Sequence, residues 1–419
     1  MKHLKTAAAA LAAALALLTS ACAPAPAPTQ APGPDGLVPA NAVANITVQQ
    51  PTATQASAIE SFGEKLFNQT LTGNVNAVVS PLSAYTALGM AYEGAAGTTA
   101  QAFQDVMGMT PAEARATLAY LLTTWQDNTD GTTVTSANSA WIDNSLTVKQ
   151  PWVDSLKAYY QADVYNLDLQ GSGTVKEVNG WINDKTNGLI PSMLETIDPD
   201  VVALLVNALY LKADWAQPFD TNDTHESQFT KADGQTVDAW FISGAPEGAK
   251  HFVTPSAEGV VLPYNDGRLA FVAAMPTSGD LTLNDGDISS WLAAANDPAM
   301  GGVVVTMPKF HTEFSTDMTY TLGAMGLQVA MTPAADFSGI APNLMIGSVQ
   351  QKVSMDVGEK GTVAAAATVV QMVPNSGLVV ATYVVFDHPY VYAIVDQVTG
   401  VPLFIGTMDD PSKAEPTAK

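Results

Sequence analysis

The chain has 419 residues, 47% of them hydrophobic and 14% charged, with 40 acidic and 17 basic residues and a formal net charge of −23. This length exceeds the ~100–200 residues of a typical domain, and the apolar fraction supplies a sizeable core, which excludes a chain disordered for want of hydrophobicity. The acidity excludes nucleic acid and anionic head groups as main partners, because clustered Lys and Arg hold such ligands. It is read as maintaining solubility.

Met1-Lys2-His3-Leu4-Lys5 and the apolar run 6–18 have the layout of a secretory signal, residues 1–21. The run is too short to span a bilayer, which needs ~20 apolar residues. Cys22 is the one cysteine, so no intrachain disulfide is possible. Leu18-Thr19-Ser20-Ala21-Cys22 resembles the lipobox of bacterial lipoproteins, which implies cleavage before Cys22 and a lipid on its thiol. The expected location is the outer face of a bacterial membrane. Residues 22–52 open with Ala23-Pro24-Ala25-Pro26-Ala27-Pro28, an extended, semi-rigid composition suited to a spacer.

Residues 53–412 carry no Pro/Gly-rich break, repeat or charge block, so one large domain is predicted, followed by a tail at 413–419. Ile59, Phe62, Leu66 and Phe67 form an apolar stripe at helical spacing, and residues 81–90 are small and apolar, as in a buried helix. Residues 201–211 are almost continuously apolar around Asn207, which predicts a strand buried on both faces. Further strands are predicted at 260–263, 269–275, 303–307, 379–386 and 390–395, mostly from β-branched residues. Helices early and strands late give an α+β fold.

No catalytic or metal motif stands out. His3, His225, His251, His311 and His388 share no metal-ligand spacing, and there is no phosphate loop and no Gly-x-Ser-x-Gly elbow. No cofactor is expected.

The most telling stretch is 358–370. Ala364, Ala365, Ala366 and Ala367 favour a helix, while Gly361, Val363, Thr368, Val369 and Val370 oppose one. Such a segment of small residues suits a mobile loop able to become a strand.

Several segments together resemble the serpin family. They are Asn76-Ala77-Val78-Val79-Ser80-Pro81-Leu82-Ser83, Glu93-Gly94-Ala95-Ala96-Gly97-Thr98-Thr99, residues 178–188, residues 205–215, Ala335-Asp336-Phe337-Ser338-Gly339-Ile340 and Pro402-Leu403-Phe404-Ile405-Gly406. The hinge from Glu359 to Thr368 completes the set. The resemblance implies about eight or nine helices and three β-sheets, with a five-stranded central sheet and an exposed loop at about 359–385. It also implies a monomer that acts as a suicide inhibitor of a serine protease. The cleaved loop inserts into the sheet and the acyl-enzyme is trapped as a covalent complex.

Further roles come only from that resemblance. Glu359, Gly361, Thr362, Ala364, Ala365, Ala366 and Ala367 match the hinge of inhibitory members. Sixteen positions after Glu359 lies Asn375, which places the reactive bond at Asn375-Ser376, with Met372 and Leu378 as alternatives. With no Lys or Arg in 369–380, elastase-, chymotrypsin- or subtilisin-like targets fit better than trypsin-like ones. Ser80, Ser83 and Asn207 match a buried polar cluster beneath the sheet opening, where Gln351 replaces the usual histidine. Trp215 matches the point where the loop enters. Tyr390 stands for the usual phenylalanine after His388-Pro389. Residues 117–128 lack a basic stripe, so heparin is not an expected partner. The competing reading is a non-inhibitory serpin, a binding or structural module whose loop is only a substrate.

Overall fold

The computed structural model describes residues 48–71, 75–125, 131–297, 302–362 and 382–414. Among them are eight α-helices and three β-sheets, an α+β arrangement. The central sheet runs, edge to edge, through Phe310–Asp317, Gln350–Gly358, Gly361–Thr362, Ala203–Asp214, Thr132–Asp143 and Asp163–Leu167. Five of these are strands of five to twelve residues, the number expected. The sixth is Gly361–Thr362, two of the expected hinge positions, which pair with both neighbouring strands. A rear sheet orders Val78–Val79, Pro402–Met408, Tyr390–Asp396, Leu269–Pro276, Ala257–Pro263 and Lys250–Val253. The third contains Thr382–Val385, Val303–Pro308, Thr236–Gly244 and His225–Thr230.

The predicted stripe is fully inside: Ile59, Phe62, Leu66 and Phe67 of helix Ala53–Leu71 are at most 1% exposed. Helix Pro81–Tyr92 starts from Ser80, whose hydroxyl caps it by accepting from the Ser83 amide, and Pro81 occupies a first-turn position that needs no donor. Eleven of its twelve residues are buried, because it lies between the central and rear sheets. A second apolar cluster sits between the central sheet and helix Thr174–Lys185. There Val178 and Ile182 meet Trp141, Val206 and Ala208, and Trp141 stacks on Tyr165 at 4.3 Å.

Two of the quoted segments meet in space. Ala96 donates its amide to Asp336 O at 2.8 Å, and Gly339 donates to Gly94 O at 3.0 Å. An added Cβ on Gly339 would lie 2.7 Å from that same oxygen, so the approach requires glycine. The N-terminal helix is fastened differently. Glu60 and Glu64, both buried, accept the amides of Ser289, Gly286 and Ile288 and so cap helix Asp287–Ala295. Burial pushes the Glu64 carboxyl up to about 8.

The sequence reading placed no strand before 201, yet Thr132–Asp143 and Asp163–Leu167 belong to the central sheet. Thr132–Asp143 is rich in Thr, Ser and Asn. Its burial comes from being sandwiched rather than from hydrophobicity, so no apolar alternation marks it. Among the described residues no helix is long and apolar enough to cross a membrane.

Candidate hinge and sheet opening

Strands Ala203–Asp214 and Gln350–Gly358 are joined, among the described residues, through Gly361–Thr362 alone. Thr362 pairs with Ala213 on one side and Val357 on the other, and Gly361 with Asp214 and Gly358. An added Cβ at Gly361 would lie 2.0 Å from Ala213 O and 2.7 Å from Asp214 Cα. That contact, rather than flexibility alone, explains glycine there.

Three groups hold the turn that precedes this short strand. The indole of Trp215 donates to Gly358 O at 2.8 Å, its amide donates to Lys360 O at 2.8 Å, and the Phe219 amide donates to Glu359 O at 2.8 Å. The Glu359 carboxylate accepts from Thr224 Oγ1 at 2.9 Å and from Lys309 Nζ at 3.2 Å. The Lys309 side chain is only 5% exposed and that of Glu359 17%. Burial alone would raise the Glu359 carboxyl, but hydrogen bonds from its own backbone, Thr224 and Lys309, with the Lys309 charge, bring it below the ordinary value.

Ser80, Ser83 and Gln351 come together. Gln351 Oε1 accepts the Ser80 amide and its Nε2 donates to Ser80 O, both at 2.9 Å, while Ser80 Oγ donates to Leu403 O at 2.8 Å. An amide side chain serves here because the site needs one acceptor and one donor on the same plane. Asn207 is not bonded to that group. Its Nδ2 donates to Ser136 Oγ at 3.1 Å and to Asn138 Oδ1, and Asn138 donates to Tyr160 O at 2.7 Å. The Asn207 Oδ1 is buried without a partner. Asn207 and Gln351 thus lie on the two strands that flank the seam.

Lys309, Thr224, Phe219 and Tyr264 escaped the sequence reading. Lys309 carried one signal, a lone cation directly after the apolar strand Val303–Pro308. Ala364, Ala365, Ala366, Ala367, Met372, Asn375, Ser376, Leu378 and Cys22 lie outside the described residues. Helix Pro111–Thr124 contains a single basic residue, Arg115, and Glu93 engages it through two bonds of 2.8 and 2.5 Å.

The Serpin (serine protease inhibitor) family model matches residues 57–411. An uncharacterised serpin-like protein of Thermococcus kodakarensis is 31% identical over 366 residues, covering 85% of each chain. Serine protease inhibitor 42Dd of Drosophila melanogaster is 28% identical, over 77% of this chain and 88% of that one. Among solved structures, the thermophilic serpin tengpin in its native state superposes with a TM-score of 0.79 at 28% identity, covering 89% of this chain and 97% of its own. The chain belongs to the serpin family. It is thereby a member of a family of protease inhibitors and not an enzyme.

Proposed function

We propose that the chain inhibits a serine-type endopeptidase by continuing the Gly361–Thr362 strand down the seam between Ala203–Asp214 and Gln350–Gly358 once its loop is cut. The observation that carries this reading is the register. Each step along the loop from Thr362 moves one residue back along both flanking strands. Thr362 shares the buried inner face with Ala213 and Val357, so Ala364, Ala366 and Thr368 would follow it inward. Those are small side chains, and the one hydroxyl among them, on Thr368, would arrive level with Asn207 and Gln351, where Asn207 Oδ1 lacks a partner. About ten new rungs at ~1 kcal/mol per hydrogen bond supply a driving force against distortion of a protease. The native state is then held by a barrier rather than by equilibrium.

The reactive bond is proposed at Asn375-Ser376, with Met372 and Leu378 as alternatives. The apolar, cation-free segment around it favours elastase-, chymotrypsin- or subtilisin-like targets. Mixing the domain with elastase, chymotrypsin, subtilisin and an asparagine-specific protease is expected to give, with at least one, a band at the summed mass that survives boiling in detergent. Clean cleavage by all four, with no such band, would sink this reading in favour of a loop that is only a substrate.

The lipobox-like Leu18-Thr19-Ser20-Ala21-Cys22 supports a proposed lipid anchor on Cys22, with the Pro/Ala-rich residues 22–52 as spacer, at the outer face of a bacterial membrane. Two or more acyl chains would be needed for firm attachment. Cys22→Ser is expected to move the protein from the membrane to the soluble fraction on cell fractionation. Retention in the membrane would refute the anchor.

A further inference from the structure

Tyr264 follows strand Ala257–Pro263 and is fully buried. Its backbone is fixed by the rear sheet and its ring by Trp215. A backbone bridge joins it to Trp215, its amide donates to Leu269 O at 3.0 Å, and its ring stacks on the Trp215 indole at 4.7 Å with 2° between planes. Trp215 in turn meets Phe219 and Phe271 edge-on, so the platform is a rigid aromatic group. From it the phenol hydroxyl reaches Thr362 Oγ1 at 2.6 Å, and both groups are sealed from water. With Thr362 out of the sheet, the Tyr264 hydroxyl would lose this partner while its ring stays stacked on Trp215, and an unpaired buried hydroxyl is costly.

We propose that Tyr264 is a positioning residue for the hinge. Its hydroxyl receives Thr362 and fixes the first rung between Ala213 and Val357 while the loop is still uncut. Strand addition then extends an existing rung in a fixed register, instead of starting from an unpaired chain. The inference rests on the trapping function proposed above, but its principal test requires no protease.

Tyr264→Phe keeps the ring and its stack on Trp215 and removes only the hydroxyl. Thr362→Val removes the partner oxygen at nearly constant shape, and Thr362→Ser retains it. Amide hydrogen exchange across residues 359–362 of the uncut protein is the direct readout. Tyr264→Phe and Thr362→Val should each speed exchange at Gly361 and Thr362 about 10-fold, the value of one ordinary buried hydrogen bond. The double variant should be no faster than either single one, since both delete the same contact. Thr362→Ser should stay close to the parent. Unchanged exchange in both single variants, or strictly additive effects, would overturn the proposal. With elastase as probe, the same two variants should consume more inhibitor per trapped enzyme. If the parent protein itself fails to trap any protease, the inhibitory reading falls, while the exchange data still decide the role of Tyr264.

Discussion

Ala366→Arg is expected to abolish covalent trapping while leaving the loop cleavable. Continuing the observed ladder places residue 366 level with Leu209 and Val353, which are 9% and 3% exposed and face the core. An alanine passes there without displacing anything. An arginine would bring a charge and a long side chain beside Leu209 and Val353 of the apolar core, at an effective cost of several kcal/mol. Insertion would slow by roughly a thousand-fold, each 1.36 kcal/mol being a factor of ten. Deacylation would win, and the protease would leave intact. Denaturing gels with a protease that the parent traps give the answer: a variant that still forms the complex in full yield would exclude insertion through this seam.

Glu359→Lys is expected to have the largest effect on the native fold. Lys309 would lose the one carboxylate it pairs with among the described residues and face a second cation in a pocket where it is 5% exposed. Removing one partner of a buried pair typically costs about 3–5 kcal/mol, because the charge left behind is uncompensated. Glu359→Gln, which keeps an acceptor for Thr224, should cost less. Since the Glu359 carboxyl titrates below its ordinary value in the fold, its contribution is present above the unfolded value of about 4.3 and is lost as pH falls through the folded one. Urea unfolding at neutral pH should show the full deficit of the lysine variant, and the gap should narrow in acid. Equal midpoints at neutral pH would show that the ion pair does not hold the hinge.

Much of the fold could be read from the chain because its signals are local. The stripe through Ile59 and Phe67 and the small, apolar 81–90 announce buried helices by period and composition. Ala203–Asp214 shows itself through residues 203–211, which are apolar apart from Asn207. Thr132–Asp143 stayed hidden because its place in the middle of a sheet is imposed by neighbours and not by its own side chains. The hinge contacts were illegible for a related reason. Lys309 lies fifty residues from Glu359, and Tyr264 almost a hundred from Thr362, so only the assembled rear and central sheets bring them together. Gly361 was legible as a hinge glycine, but the reason for it, the oxygen of Ala213, was not.

The two-residue strand also sets a distance. Strand Ala203–Asp214 has twelve residues, and with Gly361 opposite Asp214 the partner of Ala203 is residue 372. Under that register a loop cut after Met372 would stop at the last rung, leaving a bound protease pressed against the sheet's end. One cut after Asn375 would trail three residues, roughly 10 Å at ~3.4 Å each, beyond it. If the cleaved loop inserts as proposed, the sheet would work as a ruler. Its twelve positions, about 40 Å of strand, would set where the loop ends, and hence how much slack separates an attached enzyme from the sheet.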